Sequence, residues 1–325
     1  MRITRRRFLR FVAGSAALPA IPRFAKAEAF PARPVRLVVP QAVGGAADIS
    51  ARLVGQWLSE RLGQPFVIEN KPGAGGNIGT AAVVTSQADG HTLLLAGSFN
   101  AVNATLYDKL NFDFIRDIAP VAGIMRNPLV MAVPASAPSG TVAEFVAYAK
   151  ANPGKLNMGS AGNGSPQHMA GELFRKMAGI DIVHVPYRGS APMLTDLIRG
   201  ELHVAFDPML SSIELIRSGR IRALAVTTAN RSEVLPDIPA VAEFVPGYES
   251  FGWVGIGAPR GTAAAIIETL NREINAGLAD SRIRTRLADL GGAPLAGSPA
   301  DFARLIAEQT ERWAVVIRAA NIKPN

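Results

Sequence analysis

The sequence predicts an α/β protein of two similarly built lobes with a ligand cleft between them. Short β-branched runs alternate with amphipathic helical patterns, the alternation breaks at residues 134–138 and then restarts, and the first strand of each unit ends in a glycine-rich turn.

The first 27 residues stand apart from that pattern. An Arg5-Arg6 pair is followed by Arg7, Phe8 and Leu9, residues 11–18 form a short apolar run, and Ala25-Lys26-Ala27 has the small-x-small spacing that signal peptidase cuts. This is a twin-arginine export signal, with the mature chain starting at Glu28 in the periplasm. The run is too short to span a bilayer, and Pro19 and Pro22 break it.

Setting the signal aside changes the charge argument. The chain carries 34 basic and 26 acidic residues, a net +8 that points toward nucleic acid or a membrane surface. The signal holds Arg2, Arg5, Arg6, Arg7, Arg10, Arg23 and Lys26 and no acid. Taking these seven from the 34 leaves 27 basic against 26 acidic residues, or +1, so a nucleic-acid partner is excluded. There is no Cys, hence no disulfide, thiolate metal site or lipid tether. A soluble periplasmic protein has no ready supply of ATP or reduced nicotinamide, and no cofactor is expected.

The first unit reads as a βαβαβ segment. VRLVV (35–39) is a buried strand, residues 40–47 form a turn, and Asp48 caps a helix whose core face is Ile49, Leu53 and Trp57, flanked by Leu58 and Leu62. Gly63 stops that helix, FVIEN (66–70) is the next strand, and KPGAGGNIG (71–79) leads into a helix from about Ile78 and the strand TLLLAG (92–97). Right-handed crossovers make the sheet mostly parallel. Residues 98–117 read as a polar, aromatic connection, and IAPVAGIM and LVMAV as two strands before the break.

The second unit opens at a capping box, Thr141 and Glu144. Strand LNMGS (156–160), helix 166–177, strand IDIVHV (180–185), helix 192–200, strand HVAFD (203–207), a helix to Ser218 and strand IRALAVT (221–227) follow. The tail, strand GWVGIG (252–257) and helices at 262–279, 282–290 and 299–320, returns to the first lobe.

The turns place helix N-termini, with unpaired N–H groups and positive dipole ends, at one cleft, so an anion is the expected guest. GAGGNI (73–78) begins like a dinucleotide fingerprint but has Ile78 where the third Gly belongs, and no turn has the Lys-Ser/Thr ending of a P-loop. These glycines serve either tight turns or ligand contact. In GSAGNGSP (159–166), Ser165 is a good N-cap before Pro166. Ser160 or Ser165 with His168 is a poor catalytic pair, because there is no G-x-S-x-G elbow and a His one turn along is badly aimed at the hydroxyl. His91, His168, His184 and His203 have no zinc spacing; His91 is expected at the surface and His184 as a satisfied core residue. Asp207, at a strand end, either caps the next helix or accepts from a ligand amine or hydroxyl.

The run RLVVPQAVGGAADISARLVGQWLSERLGQPFVIENKPGAGGNIGTAAV, then ADGHTLLLAG, GSAGNGSPQHMAGELF, VHVPYRGSAPMLTDLIRGELHVAFD and LPDIPAVAEFVPGYE, closely resembles the periplasmic solute-binding proteins of tripartite tricarboxylate transporters, the TctC or Bug family, over nearly the whole mature chain. The resemblance implies a type II periplasmic-binding-protein fold, with lobe 1 at residues 28–133 plus about 240–325 and lobe 2 at about 134–239. It implies a binding protein, not an enzyme, that captures a small carboxylate and delivers it, as a monomer, to membrane permease subunits. Carried onto this chain, the first turn contributes Gln41, Val43, Gly44 and Asp48, and the second Gly75 and Gly76. Beside Gly97 and Phe99, the third strand end contributes Ser98. The second-lobe turn contributes Ser160, Ala161, Gly164 and Ser165 beside Gly162, and the VPYRG run Tyr187 beside Arg188 and Gly189; Asp207 completes the set. Two departures bear on the ligand: Gln41 stands where the family usually has an aromatic, and Ala47 where it has a hydroxyl residue. Two other functions fit less of the chain, a ligand-presenting module for a membrane sensor kinase and a periplasmic hydrolase using Ser165 and His168.

Overall fold

The computed structural model describes residues 30–232 and 235–324; the export-signal expectation lies outside the described residues. β1 (Val35–Val39) is apolar at nearly every position because both of its faces are covered. It lies between β2 (Phe66–Asn70) and β3 (Thr92–Gly97), parallel to both, with α1 (Ala46–Leu62) and α2 (Asn77–Val84) as crossovers. The three strands have the limits their sequences predict.

α1 departs from expectation twice. Gly45 is its N-cap and Asp48 is a buried first-turn residue, not the cap. Its sheet-facing residues are Ala51, Val54 and Leu58, while Ile49 is 41% exposed. Trp57 turns instead toward α9 (Ala264–Ala279), donating its indole N–H to the Glu273 carbonyl at 2.8 Å. A helix covered by a sheet on one side and a helix on another has two apolar stripes, and periodicity alone finds the wider one.

The connection at 98–117 contains helices, α3 (Ser98–Leu106) and the single turn α4 (Phe114–Asp117). The polar residues that disguise α3 point inward and are satisfied. Asn100 accepts the Gly97 N–H and donates to Thr80; Asn103 donates to the Gly75 carbonyl and the Asn77 side chain.

The two strands expected before the break are one, β4 (Ile118–Pro134), which runs straight through Arg126, Asn127 and Pro128. Its first part pairs antiparallel with β9 (Phe251–Pro259), ending at Pro128 opposite Phe251. Its second pairs antiparallel with β7 (Val204–Pro208) and β8 (Ile221–Val226). A polar triplet that reads as a break is tolerated because Arg126 stacks over the Phe251 ring, 4.9 Å from its centroid.

The second unit comprises α5 (Val142–Ala151), β5 (Asn157–Ser160), α6 (Pro166–Ala178), β6 (Val183–Pro186), α7 (Ser190–Arg199), β7, α8 (Met209–Arg217) and β8. β5 lies parallel between β6 and β7. The strand order is β2-β1-β3-β9-β4-β7-β5-β6, with β8 and β10 (Ala293–Pro294) also on β4. The tail adds α9, α10 (Ser281–Asp289) and α11 (Pro299–Ala320), and β9 sits between β3 and β4. One apolar core joins α3 and α11 to α6 and β7, through Val102, Trp313, Met169, Phe174, Phe206 and Tyr248. His91, expected at the surface, has a side chain only 11% exposed and packs edge-on against Phe30.

Candidate ligand-binding cleft

The first turn is held by Asp48. Its carboxylate, 1% exposed, accepts the Gly44 N–H at 3.0 Å, two N–H groups of Arg52 at 3.0 Å and the Asn70 amide at 2.9 Å. Burial pushes the carboxyl pKa up, but the bonds from Arg52, Gly44 and Asn70 outweigh it and the net shift is downward. Asn70 also donates to the Gln41 carbonyl at 3.1 Å, which sets Gln41 on the cleft wall.

In the second turn Gly73, Ala74, Gly75 and Gly76 all have positive φ. Gly75 opens onto the cleft, while Gly76 serves a different purpose. A Cβ there would lie 2.9 Å from the Phe99 ring, and one on Gly97 2.5 Å from it, so the two glycines form the notch that seats Phe99. Ser98, the first residue of α3, and Phe99 face the cleft together.

The second-lobe turn is tied to itself. Gly162 donates to Ser160 Oγ at 3.1 Å, Ser165 N–H to the Gly162 carbonyl at 3.1 Å, and Gly164 N–H to His168 Nδ1 at 3.1 Å. Three N–H groups that the sequence offers to an anion are therefore used inside the turn. Ser165 Oγ caps α6, accepting the His168 N–H at 3.2 Å, and keeps its own hydrogen to donate. Ser160 Oγ lies 2.6 Å from His184 Nε2, which gives His184 the partner expected of a core histidine. At Gly164, with φ +73°, a Cβ would sit 2.6 Å from Leu106 of α3, so the turn of the second unit rests on a helix of the first.

These pieces line a half-open cavity of about 410 Å3. Gln41, Gly75, Ser98, Ala161, Gly164 and Ser165 line it. Of the remaining expected residues, Asp48, Gly44 and Gly76 build the turns just described, Ser160 supports the second-lobe turn from behind, and Val43 is 69% exposed away from the wall. Tyr187 donates its hydroxyl to Asp196 at 2.8 Å; burial, then Asp196, push its pKa up to about 12. Asp207 is fully buried; its Oδ2 accepts from the hydroxyls of Ser211 and, at 2.8 Å, Ser212 on α8, whose N-cap is Pro208, while its Oδ1 has no partner among the described residues, and burial raises its pKa against the hydrogen bonds it accepts. The wall also includes Asn103, Leu106, Tyr107, Asn127, Leu129 and Trp253, which lie outside the expected set. Recognising α3 would have found the first three; Asn127, Leu129 and Trp253 sit in strands whose local pattern says only that they are buried.

A two-lobed α/β fold whose turns and helix N-termini converge on one half-open cavity is the architecture of a solute-binding protein. The family model described as "Tripartite tricarboxylate transporter family receptor" matches residues 50–322, and the chain belongs to that family, TctC. It is 36% identical over 300 residues to Protein BugT of Bordetella pertussis, covering 91% of this chain and 92% of BugT. The solved structure of R. palustris Rpa4515 with adipate is 40% identical, with a TM-score of 0.79 over 91% of this chain and all of that one. MatC of Rhodopseudomonas palustris, with bound malate, is 33% identical, with a TM-score of 0.75 over 89% of this chain and all of that one. Among the described residues no helix is long and apolar enough to cross a membrane.

Proposed function

We propose that this protein is exported by the twin-arginine route, captures a small carboxylate in the cavity between its lobes, and delivers it to the membrane subunits of a tripartite tricarboxylate-type transporter. The observation that carries the reading is the convergence of Gly75, the start of α3 at Ser98 and the start of α6 at Ser165 on one cavity. Oriented dipoles from both units can then share one anionic ligand. The relatives with adipate and malate support the same ligand class. The expected lobes, 28–133 plus about 240–325 and about 134–239, fit this scheme with β4 as the strand they share; its change of partner near Pro128 favours a crossing there, ahead of residue 133. The hydrolase reading loses support because it is the backbone N–H of His168, not its ring, that bonds Ser165 Oγ.

The test has two parts. Calorimetry on the chain from Glu28 onward, against a panel of small carboxylates, should yield a binder. Uptake of that labelled compound by cells should fall when this chain is deleted and return when it is restored. Binding without any effect on uptake favours the sensor-presenting alternative.

A further inference from the structure

Behind the cavity lies a larger hollow, a groove of about 840 Å3 on the other face of β4. Side chains alternate across a strand, and here Asn127 and Leu129 line the cavity while Arg126 and Pro128 line the groove. One bank of the groove is residues 228–232, which follow β8 of the second unit; the other is α10 and residues 291–294 of the tail. The groove therefore crosses β4 where the strand changes partner, from β9 up to Pro128 to β7 from Leu129.

Charges on each bank are answered within the same unit. Arg231 pairs with Glu243 at 2.8 Å, and around α10 Arg282 pairs with Asp280 at 3.2 Å and Arg286 with Asp289 at 3.6 Å, so these pairs do not clamp the banks together. On the cavity side the units meet through apolar contacts such as Leu106 against Gly164, which can slide without breaking a hydrogen bond. At one end of the groove a Cβ on Gly291 would lie 2.9 Å from the Leu210 nitrogen of α8, so the banks already touch there and the groove is free to widen but not to narrow. Asn127 forms the wall between the two spaces. It lines the cavity, and a Cβ on Gly292 of the groove would come within 3.0 Å of its Oδ1, a buried acceptor with no partner among the described residues. Widening the groove gives that acceptor access to water.

Spaces on opposite faces of one strand are mechanically linked, because turning the second unit about β4 near Pro128 narrows one as it widens the other. We propose that β4 is the hinge of this protein and that the groove behind it is a control surface: whatever widens the groove narrows the mouth of the cavity. The inference goes beyond the carboxylate reading and holds for any ligand.

The chain has no Cys, so a pair introduced by substitution can be labelled alone. Spin labels on Val43→Cys and Ala191→Cys, exposed in the first turn and at the start of α7, report the mouth. Labels on Ala229→Cys and Ala288→Cys, exposed on the two banks, report the groove. In the ligand-free chain from Glu28 onward, Ala229→Trp or Ala288→Trp wedges the groove from one bank or the other, and the mouth distance is expected to shift shorter. A folded wedge protein whose mouth distance is unchanged or longer overturns the inference. The groove pair is also read without a wedge: its distance distribution is expected to be as broad as that of the mouth, and a single narrow groove distance beneath a broad mouth overturns the inference as well. Adding adipate should narrow the mouth and widen the groove together, and a narrowed mouth over an unchanged groove again overturns it. Adipate that does not bind counts against the carboxylate reading, and the wedge result then decides the hinge by itself.

Discussion

His168 and His184 stack face to face, ring centroids 3.7 Å apart and planes within 7° of parallel, beside the second-lobe turn. His168 Nδ1 accepts the Gly164 N–H, so it carries no proton, and its Nε2 faces Glu172 Oε1 at 3.8 Å. Burial, then the neighbouring His184 and Arg175, lower the His168 pKa to about 3; burial, then Arg175, lower that of His184 to about 4.

This pair makes stability depend on mild acid. Both histidines protonate near pH 6.5 when the chain unfolds but only near pH 3 to 4 when it is folded. The unfolded state therefore binds more protons throughout that window, and stability falls as pH drops below about 6.5, by up to about 1.4 kcal/mol per pH unit for each ring. Glu172, whose pKa burial raises, acts in the opposite sense. Urea denaturation from pH 7.5 to 4.5 should show the decline, and His168→Gln should flatten it by about one proton.

Ser165→Ala removes both a helix cap and a cavity donor. Affinity for the bound carboxylate should fall about ten- to a hundredfold, from the loss of roughly 1.5–3 kcal/mol, and stability by about 1 kcal/mol. His168→Ala should also weaken binding, by about tenfold or less, because the Gly164 N–H loses its acceptor. Neither variant should alter hydrolysis of an ester or amide panel, since no turnover is expected from the parent chain; affinity unchanged in Ser165→Ala would remove that turn from the binding site.

Gly164→Ala combines a backbone conformation unfavourable to a side chain with a methyl placed 2.6 Å from Leu106. A destabilisation exceeding about 1 kcal/mol is expected, together with weaker binding. Adding Leu106→Ala should recover the steric part and leave the φ strain, which a double-mutant cycle measures.

Asp48→Asn keeps the shape of the first turn and loses the charge that Arg52 and the Gly44 N–H meet. A loss of about 1.5–3 kcal/mol at pH 7 follows for charge-assisted bonds. Because the Asp48 pKa is lowered on folding, its contribution is present above pH 3.8 and disappears as pH falls through the folded value. Thermal melts of the two proteins should therefore converge in acid and separate near neutrality.

Replacing Arg5 and Arg6 together by Lys should leave precursor in the cytoplasm, as fractionation and mass measurement would show. Normal periplasmic yield would rule out the twin-arginine route while leaving export by another possible.

Elements with local signals were legible in the chain: the strands VRLVV, FVIEN and TLLLAG, the Ser165-Pro166 start of α6, the glycine that ends α1, and the motifs that name the family. Alternation, caps and left-handed stops are set by neighbours within one turn or one pleat, so they survive without tertiary information. The tertiary structure alone decided that β4 passes unbroken through Arg126, Asn127 and Pro128, that the asparagines of α3 point inward, and that Trp57 faces a helix instead of the sheet. It also decided which residues of the turns reach the cavity and which, like Asp48 and Gly76, only build them. Each of these depends on a partner far along the chain, Phe251 for Arg126, Gly75 for Asn103, Glu273 for Trp57, and burial by such a partner leaves no periodic trace in the residues it covers.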